Sequence, residues 1–255
     1  MSKLAATVAV AASLVSGAAA AEPAKPTIVL VHCAFADSSS WNGVIAHLQR
    51  RGYKTVAVAN PLRSVSNDAR LVSDIVESIA GPVVLVGHSY GGQVISNAAM
   101  GNTSVKSLVY VAAFAPDTGE AAADLAGKFP GGTLGEALAP PVKLADGGVD
   151  LYIDQAKFHD QFAHDGPTEA TVLMAAGQRP ITEVALTEKS GEPTWKSVPS
   201  YFVYGDGDKN IPAKALAFMA ERAGSKRTIV VEGASHVVMV SKPEVVADLI
   251  DEAAK

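Results

Sequence analysis

A serine, two neighbouring carboxylates and a late histidine carry the chemistry legible in this chain. Ser89 stands in Val83-Val84-Leu85-Val86-Gly87-His88-Ser89-Tyr90-Gly91-Gly92, where an apolar, β-branched run ends and a helix-like segment starts at once. The frame is Gly-x-Ser-x-Gly, which presents a serine at the tip of a sharp strand-to-helix turn. Such a turn strains the serine backbone and crowds it from both sides. Glycines two before and two after remove the Cβ atoms that would collide there. The helix directs its positive end at the hydroxyl and at any anion forming beside it. A serine hydroxyl is a weak nucleophile until a base takes its proton, and that base needs a carboxylate to orient it. With a nucleophile of this kind the expected order is Ser, then Asp or Glu, then His. The segment Tyr204-Gly205-Asp206-Gly207-Asp208-Lys209-Asn210-Ile211-Pro212 supplies two carboxylates, and Ala234-Ser235-His236 supplies the only histidine after His164. The oxygen that turns negative on attack needs fixed amide donors. Tyr90, the residue after the nucleophile, offers one.

These residues must be positioned by regular elements, and the hydrophobic pattern predicts them. Short apolar runs predict strands over residues 27–31, 54–59, 83–87, 105–112, 200–204 and 227–231. Helical spacing predicts helices over residues 38–51, 67–80, 91–101, 212–223 and 243–254, with Gly52 and Gly81-Pro82 as stops. Strands alternating with helices define an α/β class: a mostly parallel sheet with helices on both faces. Ligands of such sheets bind at the carboxyl ends of the strands, and Ser89, Asp206, Asp208 and His236 each follow a predicted strand. Residues 116–198 break the rhythm. This stretch is rich in Gly, Pro and Ala, has helical pieces over residues 152–164 and 167–176, and shows no clear strand. It is far too long for a plain loop, which predicts a cap inserted over the site.

Composition narrows the partners. The chain has 255 residues and a formal net charge of −5, without a basic cluster. Nucleic acid is therefore not expected as a partner. Cys33 is the only cysteine, so no internal disulfide can form and the fold stands on its core. At the start, Lys3 precedes an apolar run over residues 4–15 and small residues over 16–21. That order is the pattern of a secretory signal peptide with a cleavage site around Ala19 to Ala21. The run is short for a membrane-spanning helix. The expectation is a signal peptide over residues 1–21, a domain over residues 22–255, export to the periplasm or the medium, and no stable membrane insertion. His159 and His164 lack further ligands at metal spacing, so no metal is expected, and the serine chemistry requires no cofactor. Oligomeric state is not legible.

From about Thr27 to the C-terminus the chain resembles the α/β-hydrolase superfamily. The segment Gly205-x-x-Asp208-x-x-x-Pro212 matches the pattern that carries the family's acid, which assigns the acid to Asp208 and leaves Asp206 to turn chemistry. The family's histidine maps to His236. Its second amide donor lies in the loop after the first strand, Val31-His32-Cys33-Ala34-Phe35-Ala36, and maps to Ala34 beside Tyr90. Relatives usually place glycine where this chain has Cys33, so a Cβ and a sulfur must fit a tight loop. The runs His32 to Trp41 and Gly87 to Gly92 look like the small-cap branch, with plant methyl esterases, hydroxynitrile lyases and bacterial hydrolases. The resemblance implies a serine hydrolase of carboxylic esters, or of lactones, acting on a small molecule. A serine at the turn disfavours the dehalogenase and epoxide-hydrolase chemistries, which need a carboxylate there. A lyase acting on cyanohydrins with the same three residues is the alternative, and it needs a cation near the pocket; Lys143, Lys157 and Arg179 are the candidates. A catalytically weak ligand-binding relative is a further alternative.

Overall fold

The computed structural model describes residues 25–255, so the signal peptide expected over residues 1–21 lies outside the described residues. In chain order the strands are β1 (Thr27–Val31), β2 (Thr55–Val58), β3 (Val83–His88) and β4 (Val105–Val111), then three short ones, β5 (Val142–Lys143), β6 (Val149–Leu151) and β7 (Ile181–Thr182), and finally β8 (Ser200–Gly205) and β9 (Arg227–Val231). Six of them form one sheet in the order β2-β1-β3-β4-β8-β9, and every pairing in it is parallel. The central strands β1 and β3 are buried along their whole length, as their unbroken apolar runs require. The edge strand β9 is half open to solvent.

The helices of the first half are α1 (Asn42–Arg50), α2 (Val65–Glu77) and α3 (Tyr90–Ala98). Ser64 caps α2 by accepting the Asn67 N–H at 3.2 Å. From β1 the chain first moves outward to β2 and then crosses back past β1 to β3. Right-handed crossovers therefore put α1 on one face of the sheet and α2 with α3 on the other. In agreement, α2 packs on α3, and α1 packs on the C-terminal helix. The reversal opens a crevice above the carboxyl ends of β1 and β3, the place where such sheets bind ligands. Val31 pairs with Gly87, so the loop after β1 runs beside the turn after β3.

Between β4 and β8 the chain adds α4 (Ala122–Ala126), α5 (Leu134–Ala137), α6 (Gln155–Phe162), α7 (Thr168–Ala176) and α8 (Glu183–Thr187). The expectation of no clear strand here is corrected: β5, β6 and β7 form a three-stranded antiparallel sheet. Strands of two or three residues are too short to show the period-two alternation by which a strand is read. After β8 follow α9 (Ala213–Arg222), α10 (Val238–Ser241) and α11 (Pro243–Ala253). No helix among the described residues is long and apolar enough to cross a membrane.

Candidate active site

Ser89 occupies the turn between β3 and α3 with φ 50° and ψ −119°, a left-handed conformation that costs a non-glycine residue free energy. Its surroundings hold it there. The Ser89 N–H donates to Val111 O at 3.2 Å, and its carbonyl accepts the N–H groups of Gly92 and Phe114 at 2.9 and 3.1 Å. The glycines answer a close approach: a Cβ on Gly87 would lie 2.5 Å from the Gly91 carbonyl oxygen, and one on Gly91 would lie 2.5 Å from the Val31 carbonyl oxygen.

Asp208 and His236 come from the loops after β8 and β9. His236 Nδ1 donates to Asp208 Oδ2 at 2.6 Å, with both side chains buried. Asp208 Oδ1 accepts the N–H groups of Asn210 and Ile211 at 2.7 and 3.0 Å, so the loop's own backbone aims the carboxylate. A proton fixed on Nδ1 leaves Nε2 as the basic nitrogen of the ring. Asp206 takes a different place: it is exposed and accepts the Gly233 N–H at 2.6 Å, a loop-to-loop tie.

Ser89, His236, Ala34 and Tyr90 all line one cavity of about 380 Å³. Among the described residues no hydrogen bond joins Ser89 Oγ to His236 Nε2; bonds of this kind are often long before substrate arrives. The amides of Ala34 and Tyr90 have no backbone acceptor among the described residues and remain open to a ligand. Residues 116–198 add an apolar part of the lining, with Ala122, Ala123, Ala126, Leu134, Leu138 and Leu186. No Lys, Arg, Asp or Glu of the described residues lines the cavity. Lys157 instead donates to Glu136 O, and Lys143 lies on an exposed strand.

The neighbouring histidines are structural. His88 Nε2 donates to the His236 carbonyl at 2.9 Å and so secures the loop that carries His236. Burial, reinforced by the adjacent His236, pushes the His88 pKa well below the usual range, and the ring stays neutral. Cys33 is buried and donates to Ala34 O at 2.8 Å, and burial pushes its thiol well up. The sulfur that replaces glycine is thus packed and protonated, not a second nucleophile. Potential ligand atoms of Cys33, His88 and His236 lie within 4.8 Å of one another, yet each residue already has one of the protein partners just given. His159 and His164 sit apart, on Thr171 and on the Gly233 carbonyl. Phe35 lines the cavity, whereas Phe158, Phe162 and Trp41 are core, with Phe162 and Trp41 edge-on to His88.

An all-parallel sheet with a serine on a strained turn, and a carboxylate-held histidine over the same crevice, defines an α/β hydrolase. The chain belongs to the alpha/beta hydrolase family, whose profile matches residues 28–249. It is 27% identical to an alpha-hydroxynitrile lyase of Arabidopsis thaliana over 88% of this chain and 95% of that one. It is 25% identical to methylesterase 8 of the same plant over 89% of each. Among solved structures, polyneuridine aldehyde esterase shares the fold with a TM-score of 0.76 at 20% identity, over 90% of this chain and 100% of that one.

Proposed function

We propose that the protein hydrolyses small, uncharged carboxylic esters through an acyl-enzyme on Ser89. Ser89 Oγ attacks the acyl carbon while His236 Nε2 takes its proton. Asp208 keeps the ring in the Nδ1–H form and stabilises the imidazolium. The Ala34 and Tyr90 amides receive the oxyanion. His236 then protonates the leaving alkoxide, and water, activated by the same nitrogen, releases the acid. The observation that carries this reading is the meeting of Ser89, His236 and the residues of two open amides, Ala34 and Tyr90, in one cavity that no Lys, Arg, Asp or Glu of the described residues lines.

The same cavity weighs against the lyase reading, although one relative carries that name. Cyanide leaves as an anion and needs a cation to hold it, and the lining has none among the described residues. The test is a panel of p-nitrophenyl esters of rising acyl length, with mandelonitrile as the lyase substrate and a fluorophosphonate as the active-serine probe. Ester turnover and labelling are expected in the wild type, and Ser89→Ala is expected to lose both while folding normally. Ester turnover retained by Ser89→Ala would falsify the assignment, and cyanide release faster than ester hydrolysis would transfer it to the lyase.

A further inference from the structure

Three lines of attachment run from the two open amides to one stretch of chain, residues 60–68, that lies between β2 and the first turns of α2. The first starts at Asn60, whose N–H donates to His32 Nε2 at 3.0 Å while its side-chain amide donates to His32 O at 3.1 Å. An accepting Nε2 puts the ring proton on Nδ1, which donates to Cys33 O at 2.9 Å. The Cys33 carbonyl and the Ala34 N–H share one trans peptide plane and point in opposite directions. The bond from His32 therefore sets the heading of the Ala34 donor.

The second line runs through Arg63. The Phe35 N–H, next along from Ala34, donates to Arg179 O at 2.9 Å. Arg63 Nη2 holds the adjoining Pro180 carbonyl at 2.9 Å, and Nη1 pairs with Asp150 of β6 at 2.6 Å. The third line reaches Tyr90. Its phenol donates to Asp68 Oδ2 at 3.0 Å, and Asp68 Oδ1 accepts the Arg63 N–H at 3.3 Å. Tyr90 and Asp68 are both buried. Tyr90 is the first residue of α3, so the tether on its side chain fixes the peptide that bears its N–H.

We propose that residues 60–68 are a common anchor for both oxyanion donors, with Asn60 the positioning residue on the Ala34 side and Asp68 on the Tyr90 side. The inference rests on the reading that these two amides receive the oxyanion. Neither Asp68 nor Asn60 lines the cavity, so each acts only through the donor it holds. The donors come from different segments, the loop after β1 and the first residue of α3, and one stretch holding both fixes their spacing.

The test uses Tyr90→Phe, Asp68→Ala, the double variant and the conservative Asp68→Asn. For each, the rate constant of fluorophosphonate labelling, kcat and KM for p-nitrophenyl butyrate, and the thermal midpoint are measured. Tyr90→Phe keeps the ring and removes only the tethering hydroxyl. Labelling rate and kcat are expected to fall about tenfold in Tyr90→Phe and Asp68→Ala, since small displacements of catalytic groups have large effects. KM should stay within about twofold, because ground-state binding is untouched. The double variant should lose no more than either single one, as members of one unit do, and Asp68→Asn should recover most of the rate. Unchanged labelling in Tyr90→Phe, multiplying losses in the double variant, or a lowered thermal midpoint with kcat intact would each overturn the proposal. A wild type that reacts with the fluorophosphonate but spares every ester rejects the substrate reading alone, and the variants' labelling rates then still decide this one. A wild type that the probe does not label rejects both.

Discussion

At Asp208 the structure separates two jobs that one carboxylate performs. Oδ1 is spent on the backbone of its own loop, and Oδ2 alone faces His236. Asp208→Asn preserves the shape and removes the charge, and an amide NH₂ turned to the ring selects the wrong tautomer. We expect kcat to fall by about 10³–10⁴-fold with little change in the thermal midpoint; a loss under about tenfold in steady-state kinetics would refute the pairing. In the sequence Ser89 and His236 stand out by the Gly-x-Ser-x-Gly frame and the order Ser, Asp, His, and Asp208 by its spacing to Gly205 and Pro212; the structure sets His236 on Asp208 and brings Ser89 and His236 to one cavity. Asp68 was not legible. An acidic residue in the first turn of a helix reads as ordinary dipole and cap chemistry, and only the fold brings the Tyr90 phenol to it. Cys33 is the instructive middle case: the departure from glycine is visible in the sequence, whereas its accommodation, a thiol turned onto the Ala34 carbonyl, is not.

At the scale of elements, the turn after β3 depends on α3 approaching β1 closely. Gly91→Ala places a methyl group 2.5 Å from the Val31 carbonyl oxygen, which belongs to backbone and cannot swing away. A loss of about 1–3 kcal/mol in unfolding free energy is expected, the usual cost of forcing extra volume into a packed site. Urea denaturation measures it, and a midpoint equal to the wild type's would show that the helix has room to retreat. The six strands of the main sheet were legible because each is a near-continuous run of apolar, β-branched residues, unbroken in the buried central strands β1 and β3. The small sheet of β5, β6 and β7 was not, because its strands have two or three residues and depend on non-local partners. One of those partners is the Arg63 side chain on Asp150, which fastens β6 to the core. Helix boundaries drifted by a few residues. The helix expected from residue 38 begins as a short 3₁₀ turn, Ser38–Trp41, capped by Asp37, before the α-helix proper.

At the scale of the whole molecule, stability must depend on acid. His88 and His32 are buried, and burial depresses the pKa of each below its ordinary 6.5. Below pH 6.5 the unfolded chain binds protons at these rings that the folded chain refuses. The unfolded state then holds more protons, so stability falls as pH falls. The loss is up to about 1.4 kcal/mol per pH unit for each histidine. Glu120, held below its usual range by its hydrogen bond to Arg222, extends the loss to lower pH in the same direction. Urea midpoints at pH 7.5, 6.5 and 5.5 should therefore decline, with a shallower decline in His88→Gln; a flat profile would mean that these rings take up protons while folded. The missing cations of the cavity wall bear on turnover as well. In the proposed reaction a neutral ester becomes a carboxylate inside a chamber whose lining, among the described residues, has no positive side chain to retain it. The anion is better solvated by bulk water than by a lining of alanines and leucines, so the proposed chemical step itself creates the drive for departure, and the vacated chamber is ready for the next neutral molecule.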